Sequence, residues 1–321
     1  GVVVVIAAGC GIYAWQVNAR YQSYVDKASD VKKWTADPRP MQSEKTAMAI
    51  FQKSFKANKE VKNKNTTKGV KLTTIPGLRG AWSINHKTKK AAFGNDWVPQ
   101  GLTQSDDKYF VSLYDGDHKL NSLIVQIDKK TGKYEKSLIL NSKAHVGGIT
   151  YEDKYKQLIY SDDVGGYAGF GAIKQADIDS YDPAVAQKPI AAKKIEWHLG
   201  TRTSAITTYN GNMVVARYGQ KSKQHSIILL PLDKNGLPKA LSEKKVKEID
   251  ETIAKKIETQ KVAGKDFVQV LFENLIDEGI INGYEAGVKR MQGVSMQDVG
   301  LTVLVQSNGL KNSKLILQEQ T

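Results

Sequence analysis

The chain has 321 residues, of which 40% are hydrophobic and 25% charged, so it can form a large core and does not have the composition of a disordered polypeptide. Its formal net charge of +14 indicates an anionic partner, such as a membrane surface or a cell-envelope polymer. Nucleic acid is not expected, because no helix-turn-helix, zinc-finger or RNA-binding motif is present. The single cysteine, Cys10, excludes an intrachain disulfide and a thiolate metal cluster.

Residues 1–20 are interpreted as a membrane anchor or signal remnant, because the first charge is Arg20 and roughly 20 apolar residues span a bilayer as a helix. Three interpretations stay open. A retained signal anchor would place the bulk of the chain outside the cell membrane. A lipoprotein signal would be cleaved before Cys10, which follows three small residues. The third is a cleaved leader or a buried core strand.

Residues 21–70 are polar and are predicted to form a helical, basic stalk or linker. Ser43 is expected to cap a helix that runs to about Lys59. Seven lysines lie between Lys53 and Lys71, with Glu60 as the one acid among them. This segment supplies much of the excess positive charge.

From about residue 71 onward the pattern changes to short apolar runs bounded by Gly, Asn and Asp, which is typical of strands and turns. Four runs follow one another at 102–105, 109–114, 122–128 and 136–140. Four antiparallel strands in about 45 residues match one blade of a β-propeller. Similar units begin at Gln100, Gly147, Ser204 and Gln292.

Residues 71–321 are therefore predicted to form an all-β domain, a β-propeller of about five blades with six possible. Residues 72–93 are expected to contribute strands to a blade beyond the four visible units. A helical insertion is predicted at 241–288, because Val246, Ile249 and Ile253 recur at helical spacing. The Gly-rich run 165–171 is interpreted as a flap over the channel mouth, and Asp162 and Asp163 as turn residues.

Several motifs resemble those of a group of exported bacterial propeller proteins. They are Pro99-Gln100-Gly101, His145-Val146-Gly147-Gly148, Thr201-Arg202-Thr203-Ser204 and Gln292-Gly293-Val294. The likeness extends from Trp97 to Ile316 with the insertion left out. It implies a propeller fold and export from the cytoplasm, and it implies no catalytic residue.

The first strand of each blade lines the central channel of a propeller, so polar residues near the unit starts are expected to meet at one mouth of that channel. The candidate ligand-binding residues are Gln100, His145, Arg202, Ser204, Arg290 and Gln292. A histidine there suits a general base, and the two arginines suit a carboxylate or phosphate. The alternative is structural, with these side chains satisfying backbone groups across the channel. No catalytic residue is assigned, and no metal or cofactor is expected.

Two functions remain open from the sequence. The first is a membrane-tethered, extracytoplasmic binding or scaffold module that recognises an anionic envelope component or a protein partner through its channel face. The second is an enzyme, lactonase-like or glutaminyl-cyclase-like by analogy of fold, that acts on a small molecule at the channel mouth.

Overall fold

The fold is given by a computed structural model, which describes residue 31 and residues 33–56, 69–198, 203–221, 225–260, 267–308 and 313–320. The predicted anchor at 1–20, with Cys10, lies outside the described residues, as does much of the stalk. Within these ranges no helix combines the length and the apolar character needed to cross a membrane.

One helix of the predicted stalk is described, α1 (Glu44–Lys56). The carbonyl of Ser43 accepts from the amide of Ala47, and its hydroxyl accepts from the amide of Thr46 at 3.2 Å. Ser43 therefore caps the first turn, where amides lack partners within the helix.

The described strands pair antiparallel, and their order along the chain is the order within each sheet. The bounds of the strands are β1 (Ala81–Ile84), β2 (Ala91–Gly94), β3 (Trp97–Gln104), β4 (Lys108–Asp115), β5 (Leu123–Asp128), β6 (Tyr134–Ile139), β7 (Ile149–Glu152), β8 (Gln157–Val164), β9 (Tyr167–Lys174), β10 (Lys193–Glu196), β11 (Thr203–Tyr209), β12 (Asn212–Arg217), β13 (Ser226–Pro231), β14 (Gly283–Glu285), β15 (Met291–Gln297), β16 (Leu301–Gln306) and β17 (Lys314–Glu319). The remaining helices are α2 (Gln175–Ser180), α3 (Pro183–Ala186), α4 (Glu243–Gln260) and α5 (Phe267–Asp277).

Four of the sheets are the blades of a propeller-like arrangement: β3–β6, β7–β10, β11–β14 and β15–β17, here called the first to fourth blades. Neighbouring residues of a strand face opposite sides of its sheet, so the second and third blades each pack on a neighbouring blade at both faces. In the second blade, Tyr160 packs toward the first and Ile159 toward the third. Leu304 packs between the third and fourth blades. The predicted mostly β, propeller-like fold is confirmed.

The predicted fifth blade is present only as a two-stranded hairpin, β1–β2, among the described residues. Ala81 and Ala91 pack against the outer face of the first blade, and Ala36 forms a single bridge to Ala81. Two residues separate β2 from β3, so the chain enters the first blade before it can add a further strand to the hairpin. The described residues thus form four blades, and the count of about five predicted from the sequence is not confirmed.

The helical insertion lies within the third blade. Helices α4 and α5 separate β13 from β14, and β14 then returns as the outer strand of the same sheet. Ile249, Ile253 and Leu275 are buried with Trp197 in the core between the second and third blades. The insertion predicted at 241–288 therefore holds two helices, while its last residues include a strand.

The Gly-rich run is not a flap. Gly165 and Gly166 have φ values of 61° and 85° and form the tight turn of the β8–β9 hairpin, while residues 167–171 belong to β9. A two-residue turn with positive φ matches the twist of the flanking strands, so the hairpin continues almost to its tip. The additional chain of this blade forms α2 and α3 instead.

Candidate functional site

Three inner strands carry a β-bulge at the same end. The register shifts lie between Pro99 and Leu102 in β3, between Thr203 and Ala205 in β11, and between Met291 and Gly293 in β15. A bulge re-aims the side chains beside it and is common next to functional sites. The bulges contain Gln100, Ser204 and Gln292, three of the residues that the sequence analysis selected.

Glycines let neighbouring inner strands approach closely at this end. A Cβ at Gly101 would lie 2.7 Å from the carbonyl oxygen of Gly147, and a Cβ at Gly147 would lie 2.6 Å from that of Ser204. The hydroxyl of Ser112 also donates to the carbonyl of Val146 at 2.7 Å, which joins the first blade to the second. Backbone approach therefore brings the blades together around the channel.

A cavity of about 430 Å³ opens where the inner strands meet. All four blades contribute to its lining, which consists of Gln100, Ala144, His145, Val146, Gly147, Ser161, Asp162, Asp163, Ala168, Thr203, Ser204, Tyr218 and Gln292. The volume lies within the range of small-molecule sites. This cavity is called the channel mouth below.

The structure brings together four of the six candidate residues: Gln100, His145, Ser204 and Gln292 all line the channel mouth. Arg290 does not line it; the Arg290 guanidinium approaches the side-chain oxygen of Asn308 at 3.5 Å. Arg202 lies outside the described residues. The carboxylate or phosphate clamp that was expected from the two arginines therefore gains no support.

Two of these side chains have backbone partners. The Ser204 hydroxyl is buried and donates to the carbonyls of Ala216 at 3.0 Å and Met291 at 2.7 Å. The amide nitrogen of Gln100 donates to the carbonyl of Pro99 at 3.1 Å. These bonds of Ser204 are consistent with the structural alternative, because its one hydroxyl proton is directed at backbone oxygens.

His145 lies in a cluster of stacked rings at the edge of the channel mouth. Its imidazole stacks on Tyr114, with ring centroids 4.1 Å apart and ring planes 12° from parallel. His118 stacks on the same imidazole at 5.2 Å. The next residue, Val146, has a φ of 54°, which is unusual for a β-branched residue and often marks a functional site.

Asp162 is a buried carboxylate with a counter-ion. Its side chain is fully buried and forms an ion pair with the ammonium of Lys194. The other carboxylate oxygen of Asp162 accepts from the amide of Asp163 at 2.8 Å. Lys194 also lies 5.6 Å from the ring centroid of Tyr160. A buried charge needs such partners because burial removes its hydration.

Asp163 has a different environment from its neighbour. Burial and the adjacent Asp162 raise the pKa of the Asp163 carboxyl, while the charges of His145 and Lys194 act in the opposite direction. Its carboxylate forms no hydrogen bond or ion pair with any residue in the described ranges. The channel mouth therefore contains one carboxylate without a direct partner in this part of the chain.

The sequence analysis missed five polar residues of the channel mouth: Ser161, Asp162, Asp163, Thr203 and Tyr218. Asp162 and Asp163 were missed because two consecutive aspartates resemble a turn, whereas β8 runs through both of them. Thr203 is the first residue of β11 and directly precedes Ser204, so its place beside a predicted site residue was the one signal that could have identified it. Tyr218 follows β12, a strand for which no channel-facing end was predicted.

No group of three or more His, Cys, Asp or Glu residues is placed to hold a metal ion in the ranges that the structure describes. No protein-family model and no curated protein matches the chain. Among solved structures, the chain is similar to a putative oxidoreductase (glucose dehydrogenase) from Thermus thermophilus, with 8% identity and a TM-score of 0.35 over 70% of this chain and 84% of that one. A likeness at this level carries no conclusion about activity.

Proposed function

We propose that the chain is a membrane-tethered, extracytoplasmic propeller that acts as a binding or scaffold module, with a ligand site at the channel mouth. The observation that supports this most directly is the cavity of about 430 Å³ to which all four blades contribute. Residues far apart in the chain meet there only because the blades surround one channel. Such a concave, polar site is typical of ligand binding.

The chemistry of the lining favours recognition. Gln100, Thr203, Tyr218 and Gln292 offer neutral hydrogen-bonding groups from three blades. Ser204, which would have been a candidate nucleophile, donates its proton to backbone carbonyls instead. These features suit a ligand that is held by several hydrogen bonds.

The anionic partner is assigned to the outer surface. The described lining of the channel mouth contains two carboxylates and no Lys or Arg. Exposed lysines cluster elsewhere, for example at Lys87, Lys89 and Lys90 in the β1–β2 turn. With a net charge of +14, this exterior would attract an anionic envelope polymer or an acidic protein surface.

The tether and the family remain part of the proposal. The uncharged residues 1–19 support a retained signal anchor, and the blade motifs support kinship with exported bacterial propellers. Hairpin β1–β2 would then be the remnant of a fifth blade.

An enzyme is the second candidate, supported by one observation. His145 and Asp163 both line the channel mouth and interact electrostatically. Such a pair is able to move a proton to or from a bound substrate.

The proposed binding of an anionic envelope polymer by the basic exterior is tested by retention of the protein on immobilised lipoteichoic acid at increasing NaCl concentration. We expect binding to weaken steeply with salt, and the Lys87→Gln/Lys89→Gln/Lys90→Gln variant to elute earlier than the wild type. The matched control is Lys154→Gln, a single exposed lysine in the β7–β8 turn. Salt-insensitive retention would contradict an electrostatic interaction.

For the enzyme alternative, the rate of lactone hydrolysis is compared between the wild type and the His145→Ala variant. An unchanged rate would exclude His145 from the catalytic site.

A further inference from the structure

The channel mouth carries negative charge although the chain as a whole is positive. Its described lining contains Asp162 and Asp163 and neither Lys nor Arg, whereas the formal net charge of the chain is +14. The field of the whole protein favours anions near its surface. A carboxylate in the cavity therefore selects locally against the ligand that the overall charge would attract.

Only one of the two carboxylates is available for a ligand. Asp162 is fully buried and is neutralised by Lys194. Asp163 is exposed at the channel mouth, and no hydrogen bond or ion pair joins its carboxylate to any residue of the described ranges. A cation that entered the cavity would thus not have to displace any described residue from the Asp163 carboxylate.

We propose that the channel mouth binds a small molecule through a protonated amine, which pairs with the carboxylate of Asp163. This inference rests on the proposed function, in which the channel mouth is a ligand site. Gln100, Thr203, Tyr218 and Gln292 would accept or donate hydrogen bonds to the other polar groups of the ligand.

An ammonium group is favoured over a neutral end group at this position. A charge-assisted hydrogen bond to the Asp163 carboxylate is about twice as strong as a neutral one. Three charged or titratable groups face Asp163. The charge of Asp162 disfavours the ionised form of the Asp163 carboxyl, whereas His145 and Lys194 favour it. A ligand ammonium would also favour the ionised form.

Three probes of equal length separate amine recognition from binding in general. They are 1,5-diaminopentane, 1,5-pentanediol and glutarate, which differ only in their end groups. Each is titrated into the full chain in detergent micelles at pH 7.5, and the backbone amide shifts of Gly147 and Ala168, which line the cavity, report on binding. We expect the diamine to shift these amides at lower concentration than the other two. Because the net charge favours glutarate, this order would reflect the local carboxylate.

Asp163→Asn tests the proposed contact. We expect its affinity for the diamine to fall about tenfold, as for loss of one charge-assisted hydrogen bond. Asp153→Asn is the matched control, because Asp153 is an exposed acid of the same blade and does not line the cavity. For the wild type, diamine affinity should fall when the pH is lowered through the pKa of Asp163, while both amines stay protonated.

The outcomes separate this inference from the proposed function. If glutarate or the diol binds at Gly147 and Ala168 more tightly than the diamine, the amine proposal is wrong and the channel mouth stays a ligand site. If none of the three probes shifts these amides, the amine proposal is wrong and the ligand site loses its support as well. Equal diamine affinity in Asp163→Asn and the wild type would overturn the assignment to Asp163.

Discussion

The hydroxyl of Ser204 donates a hydrogen bond of 2.7 Å to the backbone carbonyl of Met291, although 87 residues separate the two in the chain. Ser204 lies at the bulge of β11 and Met291 begins β15, so this bond joins the inner strands of the third and fourth blades. The same hydroxyl approaches the carbonyl of Ala216 within its own blade at 3.0 Å. One side chain thus links the blade that contains the helical insertion with the blade that follows it.

Replacing Ser204 with Ala should lower the free energy of unfolding by about 1–2 kcal/mol, because a buried hydrogen-bond donor is lost and a carbonyl loses its partner. The measurement is urea unfolding followed by tryptophan fluorescence. Ser180→Ala is the control, since Ser180 is exposed on α2. A variant as stable as the wild type, with altered ligand binding, would instead place Ser204 in the ligand site.

Gly101→Ala should destabilise the fold by about 1–3 kcal/mol, the range for adding a methyl group to a packed region. The new Cβ would lie 2.7 Å from the carbonyl oxygen of Gly147 and equally close to the side chain of Ile149, so the first two blades would have to move apart. Chemical unfolding measures this loss.

Gly283→Ala is the matched control for Gly101→Ala. Gly283 lies on the outer strand β14, and no atom lies within 4 Å of a Cβ built there. We expect little change or a small gain in stability. Equal effects at the two positions would show that close approach of the inner strands is not what requires glycine at 101.

The inner strands could be predicted from the sequence because a short motif of neighbouring residues marks the start of each one. Gln100 and Gln292 each precede a Gly at a unit start, and both lie at bulges that face the channel mouth. Glycine tolerates the close backbone approach found at these bulges, so a Gln-Gly pair at a unit start indicates the position of a bulge. His145 was found for the same reason, since it precedes a Gly pair at the start of β7.

The rest of the site depends on contacts that no local pattern encodes. Asp162 and Asp163 resemble turn residues, but β9 pairs with both, and Lys194, on β10, neutralises Asp162. Strand β14 joins its sheet only after two helices, so its pairing with β13 is set by tertiary structure. Strand propensity is overridden in such cases by packing and by partners distant in sequence.

Lys194→Met should cost more stability than Asp162→Asn. Removing the lysine leaves a fully buried carboxylate without its cation, whereas removing the carboxylate leaves a lysine that is already one-third exposed and can reach water. After allowance for that exposure, we expect a loss of about 2 kcal/mol for Lys194→Met. The double variant, measured by the same unfolding experiment, should recover part of this loss. A smaller effect for Lys194→Met than for Asp162→Asn would contradict the assigned pairing.

Cys10→Ser separates two interpretations of the N-terminus. A signal anchor holds the chain through its apolar residues, so the variant should stay in the membrane fraction after a carbonate wash. A lipoprotein depends on acylation of this cysteine, and the variant would then lose its mature, lipid-modified form. Immunoblots of the two fractions measure the distribution. Cys10 is the one cysteine of the chain, so the substitution alters no other thiol.

Asp163→Asn should stabilise the folded protein at neutral pH while weakening its affinity for an amine. The folded state raises the pKa of the Asp163 carboxyl through burial and through Asp162, so its ionised form is less favourable in the folded than in the unfolded chain. The resulting penalty is present above the folded pKa and disappears as the pH falls below the usual range of aspartate, where both states are protonated. The stability gain of Asp163→Asn should therefore be present at pH 7 and vanish near pH 3. Unfolding curves at these two pH values, with Asp153→Asn as the control, measure it. A residue that lowers stability and supports binding has the trade-off expected of a functional group, whereas a loss of stability at pH 7 would assign Asp163 a structural role.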